Sequence, residues 1–168
     1  MHPDLTPGTS LFDLDLPDHN AIPRRLSEIA EGDPLVVVFY RGWWCPKEQA
    51  FFRRLVQLQD EVEVAYTRLV SVSVDTVPEL GAFRAGLGAR WTFLSDADRT
   101  WLPRLDLLVT TDTVHHSYVP TTFTTFPDLT IRSVYNGYWF WGRPTLEDLR
   151  RDLRAITREL RPDWEVPS

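Results

Sequence analysis

Cysteine is nearly absent from this sequence: among 168 residues only Cys45 carries a thiol. A single cysteine forms no intramolecular disulfide, and no run of Cys and His has zinc-like spacing, so neither a bridge nor a structural metal is predicted. Positive charge is also short. Eighteen Lys and Arg against 24 Asp and Glu leave a formal charge of −6, with a pI near 5.2. That balance excludes the concentrated basic surface that phosphate contacts require, and with it a nucleic-acid partner. Long hydrophobic runs are missing as well. No apolar stretch approaches membrane-spanning length, and MHPDLTPGTSLFDLDLPDHN, the first twenty residues, holds neither a basic nor an apolar segment. The expectation is a soluble cytoplasmic protein with no membrane partner. There is no internal repeat and no low-complexity tract, and the 13 prolines are spread as punctuation rather than gathered into a linker. We therefore read residues 1–168 as one domain, with residues 1–10 as a loose N-terminal arm.

What the chain does have is aromatic. Five of its seven Trp, at positions 43, 44, 91, 139 and 141, lie in or near the segments that carry the motifs below. Phe12, Leu14 and Leu16 alternate with Asp13 and Asp15, as a short edge strand does before a Pro17-Asp18 turn. LVVVFY, 35–40, is an uninterrupted apolar and β-branched run suited to a strand buried on both faces. Directly after it, Pro46 fits a first helical position, and Ala50, Phe51, Leu55 and Leu58 follow at helical spacing. RLVSVSVD, 68–75, reads as a second buried strand, with a helix over 77–86. TTFTTF, 121–126, and LTIRSVY, 129–135, flank Pro127-Asp128 as a hairpin. Thr145 with Asp148 forms a capping signature before the stripe Leu146, Leu149, Leu153, Ile156 and Leu160. Strand, helix, strand, helix, hairpin, helix is the order of an α/β sandwich on a mixed sheet.

Cys45 thus falls at the start of a helix that follows a central strand. A thiolate there is stabilised by the helix dipole and by free backbone N–H groups, which favour the nucleophilic form near neutral pH. Arg41, four residues earlier at the strand end, is a cationic neighbour for it. The alternative is a small apolar residue in the core.

The series PG at 7–8, FDLDLPD at 12–18, RLSE at 25–28, VVVFYRGWWCP at 36–46, SVSVD at 71–75, FLSDADR at 93–99 and VPTTF at 119–123 resembles the redoxin branch of the thioredoxin fold. More narrowly, it is similar to the peroxiredoxin type, which includes alkyl hydroperoxide reductase and thiol-specific antioxidant proteins. The resemblance implies a thioredoxin-like three-layer sandwich, a peroxidatic role for Cys45, no cofactor and a homodimer. It also marks departures. The family has Pro and Thr seven and three residues before the cysteine, where this chain has Val38 and Gly42, and the threonine contacts the peroxide. Its loop arginine is replaced by Pro120. Val-Pro-Thr in that place looks like the thioredoxin signature, which implies a cis Pro120 facing the cysteine, with Thr121 beside it. Gly-Arg ahead of the last helix, in YNGYWFWGRPT, 135–145, resembles a segment that brings Arg143 to the cysteine.

Three functions remain open on this reading. In the first, Cys45 reduces hydrogen peroxide or an alkyl hydroperoxide and its sulfenic acid is resolved by an external thiol, from a thioredoxin-like protein or a small thiol. Arg41 and Arg143 then stabilise the thiolate and the leaving oxygen. Gly42, Trp43, Trp44, Pro120 and Thr121 line the substrate pocket. The second is a redox sensor or non-catalytic binding protein, which the motif departures favour. The third is a glutathione-dependent transferase or reductase. Glu48 is read as a solvated residue or one that complements the helix dipole. His115 and His116 are read as loop residues, with His116 the better candidate for a role, and Asp96 and Arg99 as turn structure.

Overall fold

The unbroken apolar run Leu35–Phe39 is buried on both faces because it occupies the middle of the sheet. The computed structural model describes residues 1–137 and 142–163. Its elements in chain order are β1 (Asp15–Pro17), β2 (Pro23–Arg25), α1 (Leu26–Ala30), β3 (Leu35–Phe39), α2 (Pro46–Val64), β4 (Arg68–Ser73), α3 (Val77–Leu87), β5 (Thr92–Ser95), α4 (Leu102–Leu105), β6 (Thr121–Thr125), β7 (Ile131–Asn136) and α5 (Leu146–Leu160). The main sheet has the order β5-β4-β3-β6-β7. β3 runs parallel to β4 and antiparallel to β6, so the sheet is mixed.

Alternation along β3 divides the core in two. Val36 and Val38 join Phe51, Phe52 and Leu55 of α2 and Leu149 and Ile156 of α5. Leu35, Val37 and Phe39 face the opposite layer, with Leu5, Leu11, Leu14 and Leu26, Ile29 of α1 and Leu102, Leu105 of α4. Helices therefore cover both faces, and the parallel order of β3 and β4 sends both strands' carboxyl ends to one edge of the sheet. Crevices at such an edge are where α/β sheets build sites.

Three expectations change. Residues 1–10 are not a loose arm: Leu5 is fully buried, Gly8 N donates to Ile131 O at 2.8 Å, and Ser10 bridges to Thr130. The apolar side chains Leu5 and Leu11 pin the segment to the core, which composition alone does not disclose. The alternating stretch 12–16 contributes only Asp15–Pro17 as strand, and it pairs with β2 in a separate two-stranded sheet. Pro120 is not cis, since no cis peptide bond occurs among the described residues. Its carbonyl instead accepts from Gly137 N at 2.5 Å, an approach in which a Cβ at 137 would lie 2.8 Å from that oxygen.

Candidate active site

Cys45 is the N-cap of α2, with Pro46 at the first helical position. Its backbone N donates to Gly42 O at 3.2 Å, so residues 42–45 turn tightly between the end of β3 and the helix. The thiol residue is 3% exposed. The strand-turn-helix arrangement is thus the one the sequence predicts, with the cysteine at the head of α2.

Glu48, three residues on, is not solvated. It is 1% exposed, and its carboxylate takes Arg143 in both hands: Nη2 to Oε1 at 2.7 Å and Nε to Oε2 at 3.1 Å. The same Oε1 accepts from Arg41 N at 3.2 Å. One buried acid in the first turn of α2 therefore joins the end of β3 to the segment before α5. A bidentate guanidinium needs such a partner, because a buried charge without one is costly.

The Arg41 side chain turns elsewhere. Its Nη2 donates to Asp112 Oδ2 at 2.8 Å, and its guanidinium carbon lies 4.8 Å from the centroid of the Trp44 ring. Asp112 also meets His115 Nδ1, at 3.1 Å, while the His115 ring stacks on Trp44 with centroids 3.7 Å apart and planes inclined by 15°. Burial works to raise the Asp112 carboxyl, but hydrogen bonds from His115 N, the Arg41 guanidinium, the His115 ring and Val114 N outweigh it and hold the acid well below the usual carboxylate range. Arg41, Trp44, Asp112 and His115 form one connected cluster. Of the two histidines, His115 is the one drawn into it. His116 sits at a positive φ of 47°, and Arg99 ties down the loop by donating to the carbonyls of both. Asp96 accepts from the N–H groups of Thr100, Trp101 and Leu102 and from the Tyr118 hydroxyl, a purely architectural role.

A second unforeseen acid stands behind the cysteine loop. Asp75, just past the end of β4, accepts from Trp43 N at 3.0 Å and from Ser73 Oγ at 2.9 Å. Burial, only partly offset by the hydrogen bonds from Ser73 and Trp43, pushes its carboxyl up to about 6. Gly42, at φ 149°, lies against it: a Cβ there would stand 2.5 Å from Trp44 Nε1 and 2.8 Å from Asp75 Oδ1. Glycine is required by that crowding.

Of the expected pocket residues, Trp43 is 44% exposed and Trp44 half-buried in the cluster just described. Thr121 is spent internally, its hydroxyl donating to Val119 O and accepting from Asn136. Pro120 is buried at the start of β6. Trp139 and Trp141 lie outside the described residues. The sequence did carry a signal for Asp75 and Glu48: an acid at the end of a buried strand, and another in the first turn after the cysteine, both at the carboxyl edge of the sheet.

The AhpC/TSA family model matches residues 7–134. A Mycobacterium tuberculosis protein named "Putative peroxiredoxin" is 34% identical over 96 residues, 55% of this chain and 60% of that protein. The chain thus spans less than two thirds of the length of the curated relatives it matches. Among solved structures, peroxidoxin BcpB of M. tuberculosis superposes with a TM-score of 0.76 at 22% identity, over 90% of this chain and 96% of the other. AhpC of Enterococcus faecalis gives 0.77 at 16% identity, over 96% and 99%. At these identities the superpositions establish a thioredoxin-like α/β fold.

Proposed function

The chain belongs to the AhpC/TSA family, and from that premise we propose that it is a one-cysteine thiol peroxidase. The observation that carries this reading is Cys45 at the N-cap of α2, with the Arg143 guanidinium docked on Glu48 in the same first turn.

In the reaction the Cys45 thiolate attacks one oxygen of the hydroperoxide and an S–O bond forms as the O–O bond breaks. The leaving oxygen takes up a proton and departs as water or alcohol. Sulfur is oxidised by two electrons to the sulfenic acid. An external thiol then displaces water to give a mixed disulfide, and a second thiol releases reduced Cys45 with its partner as a disulfide. No second cysteine is available in this sequence to do so internally. Cys45 stands at the head of α2, and Arg143 supplies positive charge toward the oxygen that accumulates negative charge. Arg41 acts at one remove under this reading, because its guanidinium is bound to Asp112 and its backbone to Glu48. Trp43 and Trp44 flank the approach to the thiol, and a second copy of the chain completes a homodimer.

The test is stopped-flow mixing of the reduced protein with hydrogen peroxide and cumene hydroperoxide, followed by tryptophan fluorescence, with Cys45→Ser as control and mass spectrometry of the product. Fast, Cys45-dependent gain of one oxygen supports the proposal. A rate no better than that of free cysteine sinks it, and leaves the sensor reading, for which slow oxidation with a change in assembly is the signature.

A further inference from the structure

The loop that presents Cys45 has few side chains to hold it in shape: Trp44 stacks on His115, and Gln49 Nε2 of α2 donates to Trp43 O at 2.8 Å. Gly42 contributes none, Trp43 points 44% of its surface to solvent, and Cys45 has no side-chain cap bond to the helix it starts. A further restraint comes from the neighbouring strand. Asp75 Oδ2 receives Trp43 N at 3.0 Å, its Oδ1 fills the space beside Gly42 where a side chain would stand, and Ser73 Oγ fixes the carboxylate by donating at 2.9 Å and accepting from Asp75 N at 3.2 Å. Ser95 Oγ, from β5, donates to the Asp75 carbonyl and locks its backbone.

We propose that Asp75 is the positioning residue of the cysteine loop: as a carboxylate hydrogen-bonded to Trp43 N, it holds residues 42–45 in the turn that sets Cys45 at the head of α2. The role deepens the peroxidase reading and rests on it for the kinetic arm of the test; the structural arm is independent of it.

The strength of this clamp depends on charge. An ionised carboxylate accepts from a backbone N–H roughly twice as strongly as a neutral acid does. The groups facing Asp75 set where it ionises. Burial raises its carboxyl, Ser73 and Trp43 N oppose that rise, and Glu79 of α3 adds like charge. Glu79, held below its ordinary range by the N–H and hydroxyl of Thr76, stays ionised through the relevant interval. Tyr40, just past the end of β3, is the other titratable neighbour; burial with the nearby Asp75 charge keeps its hydroxyl neutral, and that hydroxyl works with Ser73 and Trp43 N against the rise of the Asp75 carboxyl. The clamp is therefore slack in mild acid and taut above the Asp75 titration, which lies at about 6.

The experiment compares wild type with Asp75→Asn, which keeps the shape and an acceptor oxygen but has no charge. Second-order rate constants with hydrogen peroxide are measured from pH 5 to 8, alongside hydrogen exchange of the amides of residues 42–47. The ratio of wild-type to variant rate is expected near one at pH 5, rising about tenfold or more by pH 8, since small misplacements of a reacting group have effects of that size. Loop protection follows the same curve. Ser73→Ala removes a bond that favours the charged form, so its midpoint should move upward, and it serves where the Asn variant folds poorly. Ratios and protection that stay flat with pH, or a Ser73→Ala midpoint that does not move, would overturn the proposal. If exchange follows the predicted curve while every peroxide rate matches free cysteine, the positioning role stands and the peroxidase reading fails.

Discussion

Glu48 and Arg143, 95 residues apart in sequence, form a two-pronged ion pair across the first turn of α2, with the acid 1% exposed and both contacts at 3.1 Å or less. The pair ties the segment before α5 to the helix that carries the cysteine. Its energetic consequence is asymmetric. Removing one partner strands the other's charge in a buried place, whereas removing both relieves the problem.

Glu48→Ala and Arg143→Ala should each lose about 3–5 kcal/mol in stability. The double variant should lose well under the sum, a coupling of roughly 0.5–3 kcal/mol. Urea denaturation of the four proteins in the cycle measures it. Additive losses would mean that the two groups do not act as a pair in solution.

The raised Asp75 carboxyl makes a prediction about folding that is separate from its effect on the loop. Its value moves from 3.8 in the unfolded chain to about 6 in the folded one. A group whose folded value is raised contributes its stability below the unfolded value and loses it as pH climbs through the folded one. Stability should therefore fall between pH 4 and 7, by roughly 3 kcal/mol at most, from the size of the shift. Asp75→Asn should flatten this slope, matching wild type at pH 4 and melting higher at pH 7.5. A thermal melting series across that range decides it, and a slope unchanged in the variant counts against a burial-raised acid.

Gly42 gives the sharpest steric prediction. Alanine there places its Cβ 2.5 Å from Trp44 Nε1 and 2.8 Å from Asp75 Oδ1, so the indole must swing off the His115 ring. Gly42→Ala should lose about 1–3 kcal/mol, as overpacked sites do, and shift the tryptophan emission. Gly42→Thr restores the residue the family carries at that place, yet it should lower the rate with peroxide rather than raise it. Fluorescence and stopped-flow kinetics on both variants test this together.

Much of the architecture is legible along the chain because it is written in local periodicity. The run 35–39 carries a strand buried on both faces, Pro46 opens α2, and Thr145 with Asp148 caps α5, where Thr145 Oγ1 accepts from Asp148 N at 3.1 Å. These features depend on residues a few positions apart. β5 escaped the periodicity reading because its four residues are too few for a pattern to emerge.

The site divides along the same line. Cys45 at a helix start was determined by the sequence itself, since a buried strand followed at once by a proline-led amphipathic helix places the residue between them at the helix N-terminus whatever surrounds it. What Arg41, Glu48, Asp75, His115 and Arg143 do was decided only by the tertiary structure. Each takes its role in part from a partner 32 to 95 positions away, although nearer groups also join in: Ser73 at Asp75, Arg41 N at Glu48 and Asp112 at His115. A charged side chain on a helix or loop has many solvated options, and its sequence neighbours do not choose among them. The sheet chooses, by bringing the carboxyl ends of β3 and β4 to one edge and burying the acids there, where an unpaired charge would be too costly to keep.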